Sequence, residues 1–143
     1  MAAAQYTSKH GTVRKSQYEL FMSFVDMRRF ADMLPESAKS SVKADYDTIN
    51  ISAKGISIGV KVQNRVPYSL VEYKDDGAPF HFNISVHCDP AGNDMSTDFW
   101  IEVSAELSMM MKMMLGGKIK DALDKIVDGL VDPSSISVED LGL

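Results

Sequence analysis

Cysteine and tryptophan each occur once in the 143 residues, as Cys88 and Trp100. With a single thiol no intrachain disulfide can form, so the fold has to be held by its core. No stretch comes near the roughly 18 consecutive apolar residues that a membrane-crossing helix needs, so no integral membrane association is expected. The opening MAAAQYTSKHG lacks the apolar segment of a secretion signal, and a reducing, cytoplasmic setting is expected. Cations are also in deficit: 15 Lys and Arg against 20 Asp and Glu leave a net charge of -5. Nucleic-acid binding rests on cations neutralising phosphates, so no nucleic-acid partner is expected. The small basic groups Arg14-Lys15 and Arg28-Arg29 read as solvated faces.

Sequence patterns of metal, nucleophile and phosphate chemistry are missing as well. There is no CxxC, HExxH, G-x-S-x-G or phosphate-loop glycine pattern. His81 and His87 fall on one face of a strand, but six residues at strand rise separate them by roughly 20 Å, too far to share a metal. His10 reaches either of them only through a strand pairing that the sequence does not specify. His87 and Cys88 point to opposite faces, which suggests a surface imidazole and a buried thiol. Asp98, Glu102 and Glu106 recur every four residues on the polar side of a strand, about 13 Å per step, and read as solvent charges. Trp100 projects to that same polar side and is expected to pack on neighbouring strands or on the C-terminal tail. No metal, cofactor or catalytic residue is assigned.

What is present is periodicity. The chain suits one domain, with a core over about residues 5–131 and a tail over 132–143. Gln5 to Val13 reads as a first strand. SQYE, Ser16 to Glu19, has capping-box form, with Tyr18, Phe21, Met22 and Val25 as the apolar face of a short helix. Asp26 caps a second short helix that Pro35 closes. From about Ser41 to Leu107 the period becomes two. Ile49 and Ile51, then Ile56 to Val62, then YSLVEYK, then Phe80 to Cys88, then Phe99 to Leu107 alternate with polar residues. DDGAP and DPAGND supply turns. Such alternation implies an antiparallel sheet with one covered face. Ile119, Ala122, Leu123, Ile126, Val127 and Leu130 form the stripe of a final helix that Pro133 ends.

This order is α+β: a strand, two short helices, six to seven antiparallel strands in all, and one long C-terminal helix for the sheet to curve around. With SQYELFMSFVDMRRFADMLP, RVPYSLVEY and KIKDALDKIVDGLV as carriers, the chain resembles the START-like or SRPBCC superfamily. That superfamily includes birch-pollen-allergen-like proteins and polyketide cyclases, and the likeness is nearest its small single-domain bacterial members. The resemblance covers roughly Gln5 to Val131 and implies the helix-grip fold. It also implies an apolar ligand held between sheet and helix. These signatures concern architecture, so they specify function poorly.

One segment stands out. Met109 to Met114 places five methionines in six positions. At 100° per residue they scatter around the helix, while Lys112 falls in the middle of the apolar stripe. Gly116-Gly117 is therefore expected to break the helix and free Ser108 to Leu115 as a separate turn. The methionines are core filler, a deformable wall at a cavity mouth, or thioether ligands for copper(I). No cysteine or histidine is interleaved with them, which disfavours the metal. On the cavity reading, Phe82, Ile84, Val86, Phe99, Ile101 and Val103 form the sheet wall. Met110, Met113 and Met114 line the mouth, and Phe21, Val25 and Phe30 close one end. The expected partner is a small hydrophobic or amphipathic molecule, bound without chemistry. The rival expectations are a cyclase or dehydratase acting on a hydrophobic substrate, and an interaction module with a collapsed cavity. The sequence leaves the oligomeric state open.

Overall fold

The structure, a computed structural model, describes residues 4–32, 41–53, 56–92 and 95–131. Its elements run β1 (Ala4–Thr7), β2 (Gly11–Val13), α1 (Gln17–Val25), α2 (Met27–Asp32), β3 (Val42–Ala44), β4 (Thr48–Ala53), β5 (Ile56–Val66), β6 (Leu70–Asp75), β7 (Phe82–Pro90), β8 (Thr97–Ala105) and α3 (Met109–Val131). The eight strands form one antiparallel sheet in the order β1-β8-β7-β6-β5-β4-β3, with β2 also paired to β8. None of the described helices is long and apolar enough to cross a membrane.

Alternation decides which way the strands face. In β8, Thr97, Phe99, Ile101, Val103 and Ala105 are buried while the residues between them are half exposed. Two bulges adjust this pattern. The single first strand expected over Gln5 to Val13 is split, because Ser8, Lys9 and His10 oppose only Trp100 and Ile101. Ser8 holds the break: its N–H donates to the Ile101 carbonyl, and its Oγ accepts from the Ile101 N–H, both at 2.8 Å. In β5 the register shifts between Val62 and Asn64, which reverses the alternation beyond it. Arg65 is thereby turned toward α1, where its Nε donates to the Val25 carbonyl at the helix end and its guanidinium lies over the Tyr46 ring.

The short helices start where their caps are. Ser16 Oγ accepts from the Glu19 N–H at 3.2 Å, and Asp26 accepts from the Arg28 N–H at 2.9 Å. The buried face of α1 is Leu20, Phe21, Phe24 and Val25; Tyr18, expected on it, is 56% exposed. Between β5 and β6, Pro67 and Tyr68 form a tight turn closed by the Ser69 N–H on the Val66 carbonyl. Tyr68 has φ +67°, where glycine or asparagine is usual, at a cost of about 1–2 kcal/mol.

The expected helix break does not occur. α3 is continuous from Met109 to Val131 through both glycines, begun by Ser108, whose Oγ accepts from the Met111 N–H. It packs on β1, β2 and β8. The contact is close at Gly11, where a Cβ would stand 2.5 Å from Val127 Cγ1 and 2.7 Å from Val131 Cγ2. α1 covers β6 and β7, and α2 covers β3 and β4, so the three described helices divide one face of the sheet between them. The core under them includes Leu20, Val71, Cys88, Phe99, Leu107 and Val127, all essentially inaccessible. The Phe30 side chain, Pro35 and the 132–143 tail with Pro133 lie outside the described residues.

Candidate functional site

Where the covers from α1, α2 and α3 meet over the sheet, a cavity of about 190 Å³ remains. Phe24 and Met27 supply one end. Ile49, Ile51, Val60 and Tyr73 come from β4, β5 and β6; Ile84, Val86 and Ile101 come from β7 and β8; Leu123 and Ile126 come from α3. The wall is apolar because these positions share the inward phase of their strands. Ile51, Val60, Ile84 and Ile126 are only half buried, which places the open side between α3 and the β4–β5 part of the sheet.

Among the described residues the lining contains one polar side chain, Tyr73, and its hydroxyl donates to the Phe24 carbonyl. Burial drives the Tyr73 pKa upward, so it stays neutral and committed to that bond. Among the described residues, no carboxylate, imidazole or thiol lines the cavity. Cys88 is fully buried in the core beside it, and burial, with the Asp89 charge second, pushes its thiol up to about 12. Such a thiol is not a nucleophile near neutrality.

The structure brings together half of the predicted sheet wall. Ile84, Val86 and Ile101 line the cavity, whereas Phe82, Phe99 and Val103 face the same way but lie in the solid core. Phe99 stacks on Phe24 with centroids 5.4 Å apart. Phe21 and Val25 are buried but do not line the cavity; Phe24 and Met27 close that end instead. The methionine expectation needs correction. Met110, Met113 and Met114 are 70%, 84% and 63% exposed, and none reaches the cavity. They ride on the first turns of α3, where Met111 packs against the core.

The opposite face of the sheet carries an arrangement that strand spacing alone did not reveal. Pairing of β2 and β7 with β8 stacks His10, Trp100 and His87 in a row. The indole lies 4.3 Å from His10 and 4.5 Å from His87, nearly parallel to both. Asp98 approaches His10 Nδ1 at 3.2 Å, and Glu102 approaches His87 Nε2 at 2.8 Å. Trp100 therefore packs on neighbouring strands as expected, and two of the three supposed solvent charges flank its stack. His81 is paired separately with Asp75, whose hydrogen bond raises the imidazole pKa. Asp75 is held below the usual carboxylate range, first by the Phe82 N–H and then by His81. The indole keeps the two stacked imidazoles apart, and the described residues contain no group of three His, Cys, Asp or Glu placed to hold a metal.

Comparison with known proteins places the architecture. No family model and no curated protein matches the sequence. Among solved structures, a START superfamily protein from Mycobacterium smegmatis superposes with a TM-score of 0.65 at 13% identity, over 91% of this chain and 98% of that one. Norcoclaurine synthase from Thalictrum flavum gives 0.65 at 11% identity, covering 95% and 90%. The protein XoxI from Bacillus cereus gives 0.65 at 14% identity, covering 94% and 99%. An enzyme stands among these, so likeness of fold does not choose between binding and catalysis. What the superpositions and the strand order establish together is that this chain has the helix-grip fold of the START-like superfamily.

Proposed function

We propose that the protein binds a small apolar molecule in the cavity between sheet and helices and does not transform it. The observation that carries this reading is the lining itself: among the described residues it comprises ten apolar side chains and one tyrosine whose hydroxyl is already spent on the Phe24 carbonyl. A cyclase or dehydratase would need at least two polar or ionisable groups converging on its substrate. Size narrows the ligand class. A cavity of roughly 150 Å³ with similar walls takes benzene, so about 190 Å³ suits one ring with a short substituent, or a short alkyl chain.

The test is a thermal-shift and calorimetric titration with indole, toluene and hexanoate. A ligand held only by the native state raises Tm by mass action, by about 2.7 kcal/mol of stability at a hundred times Kd. Val86→Phe, which places a ring in the cavity, is expected to fold and to lose the ligand-induced shift. If no probe shifts the natural protein while Val86→Phe raises its Tm, the space is a packing void and the proposal fails.

A further inference from the structure

The methionines that the apolar cavity leaves unused form a face of their own. Met109, Met110, Met113 and Met114 are all exposed on the first turns of α3. A lone exposed apolar side chain is ordinary, but a contiguous patch marks a surface that meets a protein or a membrane. At 100° per residue the four span about 140° of the helix circumference, and Gly117 falls inside that sector. Nothing lies within 4 Å of where a Gly117 Cβ would stand, so the sector is open there too.

Charge on both edges gives the face its sign. Lys118 lies about 40° beyond Met114, and Lys112 about 60° beyond Met109 on the other side. Both are exposed, and neither side chain has an ion-pair partner among the described residues. Lys120, by contrast, is held by Asp124. From Ser108 to Lys120 the sequence carries three lysines and no acid, bounded by Glu106 and Asp121. That segment is an exception in a chain whose net charge is -5.

We infer that this end of α3 docks on an anionic lipid bilayer, the methionines entering the headgroup boundary and Lys112 and Lys118 reaching lipid phosphates on either side. Lysine keeps its ammonium in the polar layer while its alkyl stem lies along apolar surface. Methionine is unbranched and adapts to an irregular partner. A convex helix face with cations on both edges is the pattern of an amphipathic surface anchor. The same lysines disfavour a second copy, because two such faces brought together would set like charges against each other. The acidic remainder of the chain confines contact to this end, since the attraction fades within a Debye length of the surface. Anchorage by so short a segment is weak and reversible.

The experiment is sedimentation of the full chain with vesicles at millimolar lipid. One set is phosphatidylcholine alone and the other is phosphatidylcholine and phosphatidylglycerol in equal parts. The anionic vesicles should retain at least fivefold more protein, and high salt should remove that preference. Met110→Ser combined with Met113→Ser is expected to weaken binding to anionic vesicles at least tenfold. Lys112→Gln combined with Lys118→Gln should leave the two vesicle types equal. All four positions are exposed, so both variants should keep the natural Tm. Val86→Phe should sediment as the natural chain does, so this inference stands or falls apart from the apolar-ligand proposal. Absence of sedimentation with anionic vesicles would overturn it and leave the face to an acidic groove on a protein. Binding that survives loss of both methionines would overturn it as well. A concentration-dependent dimer lost in the methionine variant would assign the face to a second copy instead. Nuclear Overhauser contacts from the methionine methyls to residues 132–143 would assign it to the chain's own tail, and either result overturns the inference.

Discussion

Lys112 and Leu130 stand 18 residues apart on one unbroken helix, five full turns at 3.6 residues per turn, so both point the same way. Lys112 is exposed, whereas Leu130 is half buried against the core. Their direction is identical and their cover is not. The second half of α3 lies on strands, with Leu123 and Val127 buried and Gly11 admitting the helix closely. The first half carries Met109, Met110, Met113 and Met114 in solvent. Periodicity in a sequence therefore tells which way a residue points, and the extent of the neighbouring sheet tells whether anything is there.

The largest effect should separate those halves. Leu123→Ala removes a side chain that is 7% exposed and lines the existing cavity, so the vacated space adds to a void that cannot collapse. A loss of about 3 kcal/mol is expected in urea denaturation. Met113→Ala, at 84% exposure, should change stability by less than about 0.5 kcal/mol. Equal losses at the two positions would mean that the methionine turns are covered in solution, and the contrast between the halves would be wrong.

A smaller effect tests how the second half is tethered. Asp124 accepts from the Lys9 N–H at 2.7 Å and from Lys120 Nζ, joining α3 to the break between β1 and β2. Burial pushes its pKa up, but the Lys9 N–H and the Lys120 ammonium outweigh that and hold it below the ordinary carboxylate value. A depressed folded pKa means the contribution is complete above the unfolded value near 3.9 and is lost as pH falls through the folded one. Asp124→Asn should cost up to about 1 kcal/mol near neutrality. It should also flatten the acid limb of stability below about pH 4. An unchanged acid limb would show that the tether does not form.

The same distinction between direction and neighbourhood explains what could be read from the sequence. Strand alternation from Phe82 to Cys88 and Phe99 to Ala105, the caps at Ser16 and Asp26, and the stripe of α3 are local, and each appears where expected. They were enough for the helix-grip fold. The split at Ser8 was hidden because its hydroxyl takes over ladder bonding from a carbonyl, which no periodicity records. The bulge that turns Arg65 toward α1 depends on a register shift against β6. The stack of His10, Trp100 and His87 needs three strands in register, and the sequence supplied no pairing for His10. At the cavity, Ile84, Val86 and Ile101 were legible as inward residues. Ile51, Val60 and Leu123 show the same periodicity, but only tertiary structure separates lining from solid core.

The smallest predicted effect sits at the junction of the two halves. A helix interrupted at Gly116-Gly117 would use at least one glycine for a conformation that alanine resists. α3 instead runs through both residues as regular helix. The two glycines still differ in their surroundings. A Cβ at Gly116 would stand 3.3 Å from the Tyr6 hydroxyl, a tight approach that the ring must yield to, whereas at Gly117 nothing lies within 4 Å. Gly117→Ala therefore adds no contact and removes backbone freedom from the unfolded chain, so it should stabilise by about 0.5 kcal/mol. Gly116→Ala should gain less, because displacing Tyr6 offsets the same entropy term. Paired urea titrations of the two variants resolve the difference. A destabilised Gly117→Ala would restore the helix break and, with it, a methionine segment free to fold back toward the cavity.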